Sequence, residues 1–289
     1  MIKLAHLSDL HFAEITYSPR QFFSKRWLGN CNLILFRQKT LQTDRLLSLP
    51  KLFKSLGVSV VCVTGDLTTT SLENEFRKSA KYIQSFEKEG IKVFLLPGNH
   101  DLYTKESEKS RRFYRFFSFR EGTYTLERDR MEVHSLGEKW WWVGLDTALA
   151  TPLVSSNGKF TDEMVSKLQE LLSKIPSGNQ VVMGNHFPLF ATDHPRHDLI
   201  GCEKLQKILK KFHCVKLFLH GHDHSSYIIN RQDEGFPLVF NAGSSSHTTG
   251  TFNILEVSKS SCEMTQYVHT SGEWVPESTT KYSFLKAAH

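Results

Sequence analysis

The sequence predicts an α/β fold built on a parallel-type sheet, and three observations lead there. Apolar runs alternate with helix-periodic stretches, strand then helix, three times between Ile2 and Leu96. Glycine or proline punctuates the junctions, as at Gly57, Gly90 and Pro97-Gly98. Several apolar runs end in carboxylate, amide or imidazole side chains, the place outside the carboxyl ends of strands where open α/β sheets build their sites.

Ile2 to Leu7 is a strand that delivers Ser8-Asp9-Leu10-His11. Ser18-Pro19-Arg20-Gln21 reads as a helix start, with Ser18 as N-cap, Pro19 at the first helical position and Gln21 completing a capping box. An aromatic and basic insert at about 18–40 follows, Phe22, Phe23, Trp27 and Phe36 interleaving with Lys25, Arg26 and Arg37. Leu41 to Leu56 is helix-periodic and stops at Gly57; Val58 to Val63 is the second strand and runs to Gly65-Asp66. Ser71 to Glu89 is a helix closed by Gly90, and the strand Ile91 to Leu96 opens onto Pro97-Gly98-Asn99-His100-Asp101.

Lys109 to Arg120 carries five basic and five aromatic residues with no acidic one, within a candidate lid at about 103–122. Phe113, Phe116 and Phe117 stand at helical spacing, which suits a core face better than a lid. Strands are expected at Thr123 to Leu126 and Trp140 to Leu145, a helix from Thr161 to Ile175, and a strand from Asn179 to Met183 ending in Gly184-Asn185-His186. Asp193, His194, His197 and Asp198 share a loop and read as solvent-exposed. After a helix at Leu205 to Phe212, the strand Val215 to Leu219 ends in His220-Gly221-His222-Asp223-His224. Pro237 to Asn241, Thr251 to Val257 and Cys262 to His269 read as strands, with the alternation of an antiparallel closing edge. With no internal repeat or linker, one domain over 1–289 is expected.

The net charge of +6 suggests an anionic partner, and residues 18–54 alone hold eight basic side chains against Asp44. No nucleic-acid-binding module accompanies that charge, so no nucleic acid is expected. Five cysteines, scattered and never spaced C-x-x-C, argue against a disulfide framework or a structural zinc site and for a reducing cytoplasm. The N-terminus enters a strand directly rather than a signal pattern, and the apolar runs are too short to span a bilayer. The sequence carries no signal for an oligomeric state.

The chemistry lies in what the strand ends present together: Asp9 and His11, Asp66, Asn99 and His100, His186, then His222 and His224. Each fragment alone is weak, and their ordered recurrence is not. Carboxylate, amide and imidazole suit a borderline divalent metal, and seven ligands suffice for two ions at roughly 3.5–4 Å, the spacing that clamps both oxygens of an in-line displacement.

The order D-x-H, G-D, G-N-H-D, G-N-H, G-H-x-H resembles the calcineurin-like metallophosphoesterase family, over Ile2 to about Val257. The resemblance implies a four-layer α/β/β/α sandwich and two divalent ions per chain, Mn, Fe or Zn. It implies Asp9, His11 and His224 on one ion, Asn99, His186 and His222 on the other, and Asp66 bridging. It further implies a metal-bridging hydroxide as nucleophile, His100 as general acid or transition-state donor, and Asp101 as the group orienting His100. Within the family, the opening half looks most like the bacterial branch with class III cyclic nucleotide phosphodiesterases. The expected partner is an anionic, phosphate-containing small molecule, with Arg111, Arg112, Arg115 and His194 as candidate substrate contacts. Two alternatives stand beside this phosphodiesterase reading. One is a pyrophosphatase acting on a lipid-linked or diacylated sugar nucleotide, its aromatic and basic stretches touching anionic lipid at the membrane periphery. The other is a non-catalytic scaffold of the same fold, which should show gaps among the ligand positions, and none is missing.

Overall fold

Strands buried on both faces organise the molecule, as near-continuous apolar runs require. The computed structural model describes residues 1–14, 41–117, 122–152 and 155–285, so the helix start at Ser18 and the insert at 18–40 lie outside the described residues. In chain order come β1 (Ile2–Leu7), a 3₁₀ turn (Thr43–Ser48) leading into α1 (Leu49–Ser55), β2 (Val60–Thr64), α2 (Glu73–Lys88) and β3 (Lys92–Leu96). Three short helices follow, α3 (Lys105–Lys109), α4 (Arg112–Phe116) and α5 (Leu126–Asp129), then β4 (Met131–Gly137) and β5 (Trp140–Leu145). Next are β6 (Gly158–Lys159), α6 (Asp162–Ser173), β7 (Gln180–Gly184), β8 (Leu199–Ile200), α7 (Cys202–Lys211) and β9 (Val215–His220). The chain closes with β10 (Ser226–Ile229), β11 (Leu238–Ala242), β12 (Thr251–Val257), β13 (Ser261–Thr270) and β14 (Glu273–Ser283).

Two six-stranded sheets result, ordered β14-β13-β12-β1-β2-β3 and β10-β11-β9-β7-β5-β4. Strands β1, β2 and β3 run parallel, as do β5, β7, β9 and β11, while β12 to β14 and the edges β4 and β10 are antiparallel. The period of two along each strand divides the core. Leu4, Val60, Cys62, Phe94 and Leu96 meet Trp142, Val182, Leu217, Leu219 and Phe240 between the sheets. Ala5, Leu7, Val61, Val63 and Val93 face the other way, onto Phe53 of α1 and Phe76, Ile83 and Phe86 of α2. Val143, Val181, Met183 and Phe218 likewise cover Met164, Leu168 and Leu171 of α6 and Leu205 and Ile208 of α7. Helix, sheet, sheet, helix is the four-layer α/β/β/α sandwich that the resemblance implied.

Some local expectations are corrected. Leu41 to Leu56 is not one helix: Leu41 forms an isolated bridge with His247, and the chain then turns through the 3₁₀ segment before Pro50 enters the first turn of α1. Thr123 to Leu126 is not a strand, because Thr125 caps α5 by accepting a hydrogen bond from the Arg128 N–H (3.4 Å). The strand is displaced to Met131–Gly137, and β10 and β14 are further strands that the sequence reading passed over. No helix among the described residues is long and apolar enough to cross a membrane.

One buried carboxylate ties the start of α2 to the loop behind the site. Glu75 accepts from the Thr70 and Leu72 N–H groups (both 2.9 Å), the Thr70 hydroxyl (3.1 Å) and the Glu14 N–H (3.2 Å). A buried donor left without an acceptor costs about 1–3 kcal/mol. Glu75→Ala is therefore expected to lower stability by about 2–4 kcal/mol, read as a shift in the urea midpoint at constant slope. An unshifted midpoint would show that water replaces the carboxylate at little cost.

Candidate metal centre and active site

Parallel strands bring their carboxyl ends to one edge, and the polar residues following β1, β2, β3, β7 and β9 meet there. The backbone is bent to achieve it. Asp9 (φ 55°), His11 (46°), Asp66 (54°), His222 (78°) and His224 (56°) all lie in the left-handed region. Asp and His tolerate that region better than most residues, and strain of this kind clusters at functional sites. Close approach also requires glycine. A β-carbon at Gly98 would overlap the Asp66 carboxylate, and one at Gly221 would overlap Ser8 Oγ and Asp9 Oδ2.

Ligand atoms of Asp9, His11, Asp66 and His224 all lie within 4.8 Å of one another. Asp9 Oδ1 is 3.2 Å from His224 Nε2 and 3.6 Å from His11 Nε2, and the two imidazole nitrogens are 3.0 Å apart. A second group adjoins the first: His186 Nε2 is 3.1 Å from Asn99 Oδ1 and 3.2 Å from His222 Nδ1. Asp66 joins the groups, its Oδ2 lying 3.5 Å from His186 Nε2 and 3.9 Å from His11 Nε2. All seven predicted ligands are thus gathered in one place.

The chemistry of this donor set fits divalent ions. Two imidazole nitrogens facing each other at hydrogen-bond distance can share only one proton, so one of each pair presents a lone pair. Asp9 Oδ1 is fully buried and faces the Nε2 atoms of His224 and His11 without a well-aligned hydrogen bond, where buried polar atoms are ordinarily satisfied. Burial alone would raise Asp9, but His224, His11 and His186 hold its carboxyl well below the usual range. Asp66 is held low in the same way, against burial, by His186, His100 and His11. Burial, with His186 nearby, pushes His222 down to about 3, and burial lowers His11 as well. Burial would also depress His186, yet Asp66 and Asp9 raise it to about 9. Two buried carboxylates therefore draw positive charge into the site, and a cation supplies what a proton on His186 otherwise does.

Backbone carbonyls orient the rings. His186 Nδ1 lies 2.7 Å from the Thr64 carbonyl, which turns its Nε2 inward, the outer-shell arrangement common to ligating histidines. His100 Nδ1 lies 2.6 Å from the Thr69 carbonyl, its backbone N–H donates to Asp66 Oδ1 (2.8 Å), and its ring stacks on Tyr103 (5.4 Å, 13°) and meets His11 edge-on. Asp101 has a different task from the orienting one expected of it. Its Oδ1 accepts from the Thr68 N–H and hydroxyl (both 2.9 Å), and its Oδ2 accepts from the Leu67 (3.1 Å) and Gly98 (3.0 Å) N–H groups. Those four bonds occupy the carboxylate, which pins the Asp66 loop to the Asn99 loop, while Thr69 holds the ring.

The candidate substrate contacts fare unequally. Arg111 pairs with Glu127 (2.9 Å), and Arg112 pairs with Glu106 and donates to the Ser71 carbonyl (both 2.6 Å). Arg115 is exposed on α4, whereas Phe113 and Phe117 are buried against Phe76. The His194 ring meets His197 (6.1 Å), and it is His197 that meets the expected ligand His222 (5.9 Å). Sequence reading missed Thr64 and Thr69, which act through main-chain oxygens that carry no residue-type signal. Ser244 and Ser246 were also missed; their hydroxyls donate to the Asp9 carbonyl at 2.8 and 3.1 Å. The Gly-Ser-Ser-Ser run after β11 was their only trace.

Comparison with known proteins bears on the family and the fold. The chain is similar to the 3′,5′-cyclic adenosine monophosphate phosphodiesterase CpdA of Haemophilus influenzae, 26% identical over 186 residues. The match covers 62% of this chain and spans 59% of that relative's length. Among solved structures, a dimetal phosphatase from Danio rerio superposes with a TM-score of 0.66 at 14% identity, covering 98% of this chain and 99% of that one. A purple acid phosphatase from yellow lupin (Lupinus luteus) seeds gives 0.67 at 11% identity over 98% of this chain and 53% of the lupin chain. At such identities the two structures speak for the fold alone. The calcineurin-like phosphoesterase model matches residues 2–226, a stretch that includes every one of the seven gathered side chains, and the chain therefore belongs to that family.

Proposed function

We propose that the protein is a dinuclear metal-dependent phosphohydrolase acting on a phosphodiester or nucleotide-type substrate. The observation that carries this reading is the convergence of six candidate ligand side chains around a seventh, Asp66, whose carboxylate lies between two histidine groups. Asp9, His11 and His224 would hold one divalent ion, Asn99, His186 and His222 the other, and Asp66 both; Mn, Fe and Zn all suit these donors. Bound there, two such ions lower the pKa of water and offset charge building on phosphoryl oxygens. The protein's own part is to hold and supply. Thr64 fixes the His186 tautomer, and Asp101 locks the two loops that carry Asp66 and Asn99. With its Nδ1 committed to the Thr69 carbonyl, His100 moves a proton at Nε2, toward the oxygen that leaves. The name of the CpdA relative supports a diester as the substrate class.

The test is turnover of bis-p-nitrophenyl phosphate by the metal-stripped chain reloaded with Mn²⁺ first. Activity restored by the ion is expected; a folded sample inert with Mn²⁺, Zn²⁺, Fe²⁺ and Ni²⁺ would overturn the reading. A nucleotide-sugar pyrophosphate belongs in the same assay. Preference for it over the diester would move the assignment to a pyrophosphatase.

A further inference from the structure

We propose that His197 is a substrate-binding residue, its imidazole holding a phosphate oxygen of the substrate at the rim of the metal centre beside His222. This rests on the phosphohydrolase reading above and adds a contact that the ligand motifs do not contain. The loop bearing His197 is built rather than loose. Buried Asn157 donates to the carbonyls of Pro195 (2.8 Å) and Asp198 (3.0 Å), the Ser156 N–H to that of Arg196 (2.8 Å), and Asp198 Oδ1 accepts from the Thr192 N–H and hydroxyl (both 2.8 Å).

The ring itself is also fixed. Ser156 Oγ lies 2.8 Å from His197 Nδ1, and the ring is tilted by 45° against His222 at 5.9 Å. Holding an exposed side chain in one rotamer opposes its entropy. The hydrogen bond engages one nitrogen and leaves Nε2, on the other edge of the ring, for a ligand. His222 already belongs to the ligand set, so His197 stands one ring outside it, within reach of what the ions bind rather than of the ions. His100 stands in a similar relation to another member of the set, its ring 4.9 Å from that of His11. A phosphate seated over the centre would then have the His197 imidazole as a donor beside the ions, and an N–H donated to a phosphate oxygen is a charge-assisted bond of the stronger kind.

The experiment compares native chain, His197→Ala, His197→Gln and Ser156→Ala, each loaded with Mn²⁺, using bis-p-nitrophenyl phosphate for turnover and orthophosphate for calorimetric binding. For His197→Ala, KM is expected to rise about tenfold and orthophosphate affinity to fall by about the same factor, the loss of one charge-assisted hydrogen bond. Its kcat should change far less, and its metal content should equal that of the native chain. His197→Gln, which keeps a donor, should recover part of the loss; Ser156→Ala, which only frees the ring, should raise KM about two- to threefold. Unchanged KM and orthophosphate affinity in His197→Ala, beside an active native chain, would overturn this proposal and leave the phosphohydrolase reading standing. Loss of metal from His197→Ala would overturn it too, by making the residue part of the ion-binding set. A native chain inert with every ion would remove both.

Discussion

Replacing Asp66 with asparagine is expected to lower phosphodiester turnover by about a thousandfold while leaving the chain folded. The side chains are nearly isosteric, and an amide oxygen still accepts the His100 N–H that Asp66 Oδ1 accepts now, at 2.8 Å. The other atom matters more. Asp66 Oδ2 lies 3.5 Å from His186 Nε2 and 3.9 Å from His11 Nε2, between the two ligand groups. An amide NH₂ there replaces a full negative charge by a donor dipole in a buried site, so both groups lose the carboxylate that draws cations in. A thousandfold corresponds to about 4 kcal/mol of lost transition-state stabilisation, within what a central charge in a water-poor site supplies. Metal analysis should show fewer bound ions, and circular dichroism an unchanged fold. A variant that keeps its metal and turns over within tenfold of the native rate would remove Asp66 from the centre of the mechanism.

Much of this was legible in the sequence because strands buried on both faces announce themselves and glycine marks where they stop. Gly65, Gly98 and Gly221 each precede a segment that carries candidate ligands, and Gly98 and Gly221 stand where no β-carbon fits. The run of Phe113, Phe116 and Phe117 at helical spacing shows the same legibility, since Phe113 and Phe117 prove to be core. What stayed hidden depends on long-range pairing or on the main chain. Thr123 to Leu126 has strand-like composition, yet Thr125 caps a helical turn because its hydroxyl finds the Arg128 N–H. The role of Asp101 was hidden for a related reason: adjacency to His100 suggests a partner for the ring, while the N–H groups it serves at Leu67 and Thr68 lie more than thirty residues earlier. His194 and His197 look alike in sequence, and only the turn between them decides which reaches His222, through a hydrogen bond from the His197 N–H to the His194 carbonyl (2.8 Å).

Asp101 gives the second large effect, one that separates stability from catalysis. Burial and the nearby Asp66 carboxylate push its carboxyl up to about 7, while the Gly98, Thr68 and Leu67 N–H groups oppose the shift by favouring the charged form. Asp101→Ala strands those three backbone donors in a fully buried position, where each costs about 1–3 kcal/mol unless water enters. A total loss of about 3–5 kcal/mol is expected, seen as a fall in Tm of about 6–15 °C for a chain of this size. Turnover should drop as well, because the loops carrying Asp66 and Asn99 are no longer tied together and small misplacements of catalytic groups are costly. A residue that merely orients His100 behaves otherwise: its loss would leave Tm unchanged, and adding Asp101→Ala to a His100→Ala chain would change nothing further. A residue that pins the loops lowers Tm in either background and costs activity beyond what His100→Ala removes. Measuring Tm and turnover for both single variants and the double variant decides between the two, since independent effects add and shared ones do not.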